Sequence, residues 1–359
     1  SSLVINNANS FTGGSTLAGG AVTLGDGAAL GTGAIALNAG TLDINGKAVA
    51  NNIVLGGGTL LGNGGTVSGV ISQSGGSRDL LVGSSLTLTG TNTYTGATTI
   101  ANGTLTLGDG TTNGSIATSS GVTDNGALVF NVAPATSQTQ ASAISGTGTL
   151  TKSGSGTLVL TGAHTYGGLT TVSNGTLQLG NGTTDGSISS TPGVVNNGTL
   201  AFNLTGSQMF SAPISGSGAV TKSGAGSLTL SGDNSYAAGT THNAGTLNIN
   251  SATAIGTGTL TLAGGSLNNT SGSAVTLTTN NAQNWNADFT YAGSSALNLG
   301  TGAVTMGANR AVTVTASTLT VGGAISGAYN LGKFGAGTLV LSGANTFSGA
   351  VAVNGGVLE

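Results

Sequence analysis

The chain has 359 residues, of which 68 are glycine, or about 19% against a usual level of about 7%. Only 4% of the residues are charged and the formal net charge is −3, which excludes a nucleic-acid-binding protein built on a basic face. A mean hydropathy of +0.27 argues against a disordered polar chain, and a count of only 3 prolines argues against collagen.

The chain has no cysteine, so it forms no disulfide and offers no thiolate to a metal or a substrate. It has no run of about 18 apolar residues, and its first residues, Ser1-Ser2-Leu3, lack the basic region of a signal peptide. We therefore expect neither a membrane span nor a signal peptide in this chain. It begins and ends inside a recurring pattern, which indicates a fragment of a longer polypeptide.

One motif recurs along the chain. It reads G-x-L-x-L-[ST]-G-x-N-[ST]-[YF]-x-G, followed by T-T-[IV] and G-T-L-x-L, and its copies begin at Leu3, Leu86, Leu158, Leu228 and Leu339. We expect a single solenoid fragment divided into divergent coils (1–83), two repeats (84–155 and 156–225), an extended repeat (226–336) and a partial repeat (337–359).

Short alternating strands fill each repeat. Leu86, Leu105, Leu128 and Leu150 follow one another at nearly regular intervals, and Leu, Val or Ile alternates with Thr, Ser or Asn around them. Strands of this kind bury one aliphatic face only when coils stack. At about 24 residues a coil, the sequence predicts an all-β parallel β-helix of about 15 coils and about 70 Å.

An alternative interpretation takes each Asn-Gly pair, at 102–103, 174–175, 181–182 and 197–198, as a hairpin turn between antiparallel strands. Tandem immunoglobulin-like adhesin domains would have such turns. They would also need a core aromatic residue in each domain, whereas the chain has one tryptophan and 4% aromatic residues. We favour the solenoid.

The motif resembles the autotransporter-associated β-strand repeat of bacterial type V secreted proteins, most closely at 156–179, where His164 replaces the usual asparagine. The resemblance implies a right-handed parallel β-helix, an extracellular or cell-surface location, and a membrane barrel translocator elsewhere in the full chain. The repeat defines a scaffold, so the resemblance carries over no catalytic residue and no cofactor.

The recurring polar and aromatic residues of the motif are candidate sites. We expect its asparagine position to bond the corner backbone in a left-handed conformation, and its aromatic position to cap the core. A ligand site and a sugar-binding platform are the alternatives. The residues concerned are Asn92, His164, Asn234, Asn345, Tyr94, Tyr166, Tyr236 and Phe347.

The few charged residues give no catalytic or metal-binding pattern. The aspartates are scattered, mostly beside glycine, which is typical of turns, whereas glycan cleavage needs converging carboxylates. Lys152, Lys222 and Lys333 recur in similar contexts, and we expect them to be exposed residues that discourage sideways strand pairing. With so few charges, we expect pH between 5 and 8 to change stability little.

The least repetitive segment, residues 268–310, contains Trp285, Phe289 and Tyr291. These aromatic residues either fill a wider coil, which we favour, or form a contact surface for a partner.

The sequence thus predicts a non-catalytic extracellular scaffold or adhesin segment that acts as a stalk or adhesive surface. Its partners would be host surfaces, glycans or other copies, and it would bind no nucleic acid. The alternatives are a subunit of a filament or layer assembled end to end and, less favoured, a β-helix polysaccharide lyase or hydrolase.

Overall fold

Short strands joined by turns form the whole chain. The computed structural model describes residues Ser1 to Glu359, and it contains 42 strands and no helix. Accordingly, it has no helix long and apolar enough to cross a membrane. The chain divides into two units, Ser1–Leu177 and Gln178–Glu359.

The strands of the first unit are β1 (Ser2–Ile5), β2 (Ser15–Leu24), β3 (Ile35–Asp43), β4 (Ala48–Val49), β5 (Ile53–Leu55), β6 (Thr59–Leu61), β7 (Gly65–Val67), β8 (Ile71–Gln73), β9 (Leu80–Val82), β10 (Leu86–Leu88), β11 (Thr98–Ile100), β12 (Thr104–Leu107), β13 (Val122–Asp124), β14 (Ala127–Asn131), β15 (Ser137–Gln140), β16 (Ile144–Ser145), β17 (Thr149–Ser153), β18 (Thr157–Leu160) and β19 (Thr170–Val172). Strand β20 (Thr176–Leu179) contains the boundary between the units.

The strands of the second unit are β21 (Val194–Asn196), β22 (Thr199–Asn203), β23 (Ser207–Phe210), β24 (Ile214–Ser215), β25 (Ala219–Ser223), β26 (Ser227–Leu230), β27 (Gly239–His242), β28 (Thr246–Ile249), β29 (Leu260–Leu262), β30 (Ser266–Asn268), β31 (Val275–Thr276), β32 (Gln283–Trp285), β33 (Phe289–Tyr291), β34 (Leu297–Asn298), β35 (Val304–Met306), β36 (Arg310–Val314), β37 (Thr318–Val321), β38 (Ile325–Ser326), β39 (Leu331–Phe334), β40 (Thr338–Leu341), β41 (Val351–Val353) and β42 (Val357–Leu358).

In the first unit, each turn of the chain pairs in parallel with the turns before and after it. Leu86 of β10 pairs with Leu105 of β12, Leu105 with Leu128 of β14, and Leu128 with Leu150 of β17. All four leucines are buried, while the threonines that alternate with them face outward. The leucine spacing seen in the sequence is therefore the register of a parallel β-solenoid, as predicted.

The second unit is built in the same way, and its inward columns are more varied. One column runs from turn to turn through Phe202, Lys222, His242, Leu262, Trp285 and Met306. The long segment between the fourth and last motif copies is therefore a series of further turns in the same ladder.

The turns differ in length, and many are shorter than the sequence suggested. The turn that brings Leu42 beside Leu60 is several residues shorter than the one that brings Thr98 beside Val122. The longer of these two has the length expected from the sequence. The two units together contain about 18 turns, somewhat more than the predicted 15.

The hairpin interpretation is wrong because the strands that flank the Asn-Gly pairs do not pair with each other. Strand β12, which follows Asn102-Gly103, pairs in parallel with β10 and β14. Gly103 has a φ of +73°, and an added Cβ would lie 2.6 Å from the backbone nitrogen of Ser85 in the preceding turn. The glycine is needed because the corner is left-handed and tightly stacked.

The inward columns predict how the first unit responds to mutation. We expect Leu128→Ala to lower the free energy of unfolding by about 2–5 kcal/mol, because the cavity left between Leu105 and Leu150 cannot collapse within a fixed register. Thr106→Ala, on the outward face of β12, should change it by less than about 0.5 kcal/mol. Urea denaturation followed by circular dichroism measures both, and equal losses would contradict the assignment of faces.

Candidate functional site

The asparagine of the motif joins three consecutive turns. Asn92 is buried, its Oδ1 accepts a hydrogen bond from Ile71 N at 2.8 Å, and its Nδ2 donates to Ser115 O at 3.0 Å. Asn234 repeats this arrangement with Ile214 N at 2.8 Å and Ala254 O at 2.6 Å.

Asn345 makes the corresponding first bond in the last copy. Its Oδ1 accepts from Ile325 N at 2.9 Å. None of the three asparagines has a positive φ, so the expected left-handed conformation is wrong. Asparagine suits this position because its amide is both an acceptor and a donor.

His164 replaces the asparagine in the third copy and makes only one of the two hydrogen bonds that the asparagine makes. Its Nδ1 accepts a hydrogen bond from Ile144 N at 3.2 Å, while its buried Nε2 has no partner. Burial lowers the pKa of His164 to about 4, so the side chain is neutral at pH 7. Protonation of Nδ1 would remove the acceptor on which the Ile144 bond depends.

The tyrosine of the motif is buried and pairs with a threonine four residues later. The hydroxyls of Tyr94 and Thr98, of Tyr166 and Thr170, and of Tyr236 and Thr240 lie 2.6 to 2.7 Å apart. Burial raises the pKa of all three tyrosines. These rings lie inside the solenoid, so they do not form a platform for sugars.

The last motif copy lacks this pair, because both the tyrosine and the threonine are replaced. Phe347 is partly exposed and lacks the hydroxyl, and Val351, four residues later, lacks the partner. The threonine of the pair was not singled out from the sequence. The shared four-residue spacing from each tyrosine was the signal that could have identified it.

The lysines are buried, so the expectation that they are exposed is wrong. Strand alternation places Lys152 on the inward face beside Leu150, between Phe130 and Val172 of the neighbouring turns. Its Nζ donates to Ser153 O, Gly154 O and Asn174 O at 2.7 to 3.2 Å.

Lys222 and Lys333 have the same cradle of three carbonyl oxygens. The Nζ–O distances are 2.8 to 3.0 Å for Lys222 and 2.8 to 2.9 Å for Lys333. Burial lowers the pKa of Lys152 and Lys222 to about 8, which still leaves both charged at pH 7. Each ammonium joins its own turn to the next one and is not available to a ligand.

Two other titratable groups are buried. Burial raises the pKa of Asp124 to about 6, while burial, followed by the charge of Lys222, lowers the pKa of His242 to about 4. The contribution of His242 to stability is therefore lost as pH falls from 6.5 towards 4, and that of Asp124 changes in the opposite sense below pH 6. These two changes oppose each other, and the expectation that stability varies little between pH 5 and 8 stays a prediction.

The suggested contact surface around Trp285 is wrong because its three aromatic residues are buried. Trp285 stacks inward between Leu262 and Met306, and its Nε1 donates to Gln283 Oε1 at 3.2 Å. The ring of Phe289 packs edge-on against it at a centroid distance of 5.1 Å. Tyr291 is fully buried and donates its hydroxyl to Ser295 O. These side chains fill a coil, which is the alternative that we favoured.

No group of three or more His, Asp or Glu side chains comes together in a way that could hold a metal ion. The recurring asparagines and lysines instead hold consecutive turns together. The fold and these joints define a repeat protein of the parallel β-solenoid class.

A family model described as the passenger-associated-transport-repeat matches residues 1–24, 83–107, 150–179, 220–249 and 331–359. These five stretches contain the five motif copies, so the chain carries the repeats of autotransporter passenger regions. It is also 36% identical, in a 214-residue alignment that covers 52% of this chain, to the adhesin BmaC autotransporter of Brucella suis biovar 1 (strain 1330). The chain spans 6% of that relative. No solved structure matches the chain.

The repeats and the similarity together place the chain outside the cell, at the cell surface.

Because each buried lysine bonds three carbonyl oxygens, we expect its removal to destabilise the protein. Lys152→Met keeps an apolar stem between Phe130 and Val172 but leaves three carbonyl oxygens without their donor. We expect the free energy of unfolding to fall by about 1–3 kcal/mol. Lys47→Met is the control, because Lys47 makes no such bonds. Chemical denaturation of both variants at pH 7 measures the effect, and a loss no larger than that of the control would contradict it.

His164→Asn restores the residue found in the other motif copies, and we expect it to remove one source of acid sensitivity. The folded pKa of about 4 lies below the unfolded value of 6.5, so the contribution of His164 to stability is complete above pH 6.5 and is lost as pH falls towards 4. At pH 5 the loss is about 2 kcal/mol.

The measurement is urea denaturation of both proteins at pH 7 and pH 5. The variant should lose less stability than the wild type between these two values. An identical loss would show that His164 does not titrate in this range.

Proposed function

We propose that this chain is a non-catalytic segment of a bacterial surface adhesin of the autotransporter type, in which it acts as a stalk and an adhesive surface. The observation that carries the proposal is that the recurring asparagines and lysines join consecutive turns, while the recurring tyrosines are buried in the core. A repeat maintained in this way along one chain builds length, and it leaves the outward positions free to differ from turn to turn.

The adhesive part of the proposal is supported by the relative, whose name describes it as an adhesin. The outward face consists largely of threonine, serine and asparagine, which are hydrogen-bonding groups without net charge. Such a face suits contact with host-cell surfaces and their glycans. In the full chain we propose a membrane translocator elsewhere, as the repeat family implies.

Resistance to proteases follows from the same structure. Three of the six basic residues, Lys152, Lys222 and Lys333, are buried in their cradles. Arg78 lies in the exposed segment 74–79, where the backbone forms no strand. We expect limited trypsin digestion to cut first after Arg78, because cleavage requires a segment that opens locally.

Mass spectrometry of the first fragments tests this expectation. Arg78→Gln should delay the first cleavage, because it removes the accessible site. Initial cleavage after any of the three buried lysines would contradict the proposed packing.

The adhesive function is tested by incubating the fluorescently labelled 359-residue chain with cultured mammalian epithelial cells. We expect saturable binding that unlabelled chain competes away. The control is the same chain unfolded in urea and diluted, which should not bind. Absence of competed binding to intact cells would overturn the adhesive part of the proposal.

A further inference from the structure

The outer face of the second unit has a groove with a volume of about 330 Å³. Its floor consists of Ala311 on β36, Gly332 on β39 and Ala352 on β41, which are paired in register across three turns. Phe334 lies at one side and the polar residues Asp288, Asn309, Arg310, Asn330 and Asn354 also line the groove.

The sequence at the floor of the groove differs from that of the corresponding positions in two other motif copies. The residues before and after the cradle lysine are Thr151 and Ser153 in one copy and Thr221 and Ser223 in another, but they are Gly332 and Phe334 here. The neighbouring turns differ as well, because Thr151 pairs with Val129 and Thr171, whereas Gly332 pairs with two alanines.

The two changes within this copy fit each other. A Cβ added to Gly332 would lie 2.8 Å from Cε2 of Phe334, so the phenyl ring uses the space that glycine leaves. Phe334 remains 38% exposed, because its side chain lies on the outward face of β39. An exposed aromatic side chain therefore lies beside the small residues of the floor.

Backbone hydrogen bonds fix the polar side chains of the groove. The Oδ1 atoms of Asp288, Asn309 and Asn330 accept hydrogen bonds from the backbone nitrogens of the next turns at 2.8 to 2.9 Å. The Nδ2 groups of Asn309 and Asn330 make no hydrogen bond within the protein. Two amide donors and a carboxylate oxygen are thus presented to solvent from fixed positions.

The charge of the groove is balanced. Arg310 donates through Nε to Trp285 O at 2.7 Å and through its two terminal nitrogens to Asn286 O and Asn309 O at 2.8 and 3.0 Å. Its single positive charge is matched by Asp288, so the site does not favour an anionic ligand.

Backbone pairing also restricts the ligand. Strand β39 is paired on both sides, with β36 and with β41, so a peptide strand cannot be added beside Gly332 and Phe334. Recognition at this strand must therefore use side chains.

We propose that this groove binds a neutral oligosaccharide, with the apolar face of one sugar ring on Phe334 and hydroxyl groups bonded to Asn309, Asn330 and Asp288. Concave sites with an apolar surface and a few fixed polar groups are typical of small-ligand recognition. This proposal rests on the adhesive function proposed above, to which it adds a ligand class and a location.

The test is binding of the labelled 359-residue chain to an array of neutral oligosaccharides ending in hexose or N-acetylhexosamine, beside sialylated and sulfated counterparts. The main variant is G332T/F334S, which installs the residues found around Lys152 and Lys222 and should therefore fold. We expect it to weaken binding to neutral glycans by about tenfold or more.

Two further variants separate recognition from folding. Asn330→Asp keeps an oxygen that can accept from Ala350 N but replaces the amide donor with a charged carboxylate oxygen, and it should also weaken binding. T221A/S223A changes the same outward positions in another motif copy and should leave binding unchanged. Thermal melting of each variant verifies the fold.

Each outcome decides the proposal. Binding to neutral glycans that both groove variants weaken supports it. No glycan binding, preference for the anionic glycans, or binding that the groove variants leave unchanged overturns it. The cell-binding assay reports separately on the adhesive function: cells bound equally by wild type and G332T/F334S would leave that function standing and remove this groove as its site.

Discussion

Parallel, in-register pairing between consecutive turns is the constraint on which the rest of the structure depends. A single turn cannot satisfy its own backbone hydrogen bonds, so its donors and acceptors are matched by the turns on either side. Because a shift of one residue would turn the aliphatic face outward, the leucine column from Leu86 to Leu150 maintains the register along with the backbone.

The motif adds joints to this ladder at places where pairing is interrupted. At the corner, Asn92 bonds backbone groups of two neighbouring turns, and the ring of Tyr94 is buried with its hydroxyl on Thr98. On the strand, Lys152 supplies three donors to carbonyl oxygens that face inward near a turn. The outward side chains do not make these hydrogen bonds between turns. They can therefore vary without loss of the fold, as the change from Thr151 and Ser153 to Gly332 and Phe334 illustrates.

Much of the fold could be predicted, but less of the role of each motif residue. The spacing of the leucines and the recurrence of the motif were enough to predict the stacked parallel turns, because both are local patterns that stacking repeats. The lysines were misjudged because a charged residue is ordinarily exposed, although the alternation in Leu150-Thr151-Lys152 places lysine on the leucine face. The carbonyl oxygens that make its burial tolerable come partly from Asn174, one turn away, and no local pattern reveals them.

By itself, the sequence determined the class of fold, the inward and outward faces of the strands and the positions of the corners. These follow from residue periodicity and from glycine, which are properties of the chain's own neighbourhood. Only the tertiary structure decided which residues meet across turns. It buried Trp285 between Leu262 and Met306, and it placed Phe334 beside Asn330 and Asp288 on one groove. Which residues meet across turns depends on the length of each turn, and this length varies along the chain. These contacts are therefore known only once the turns are stacked.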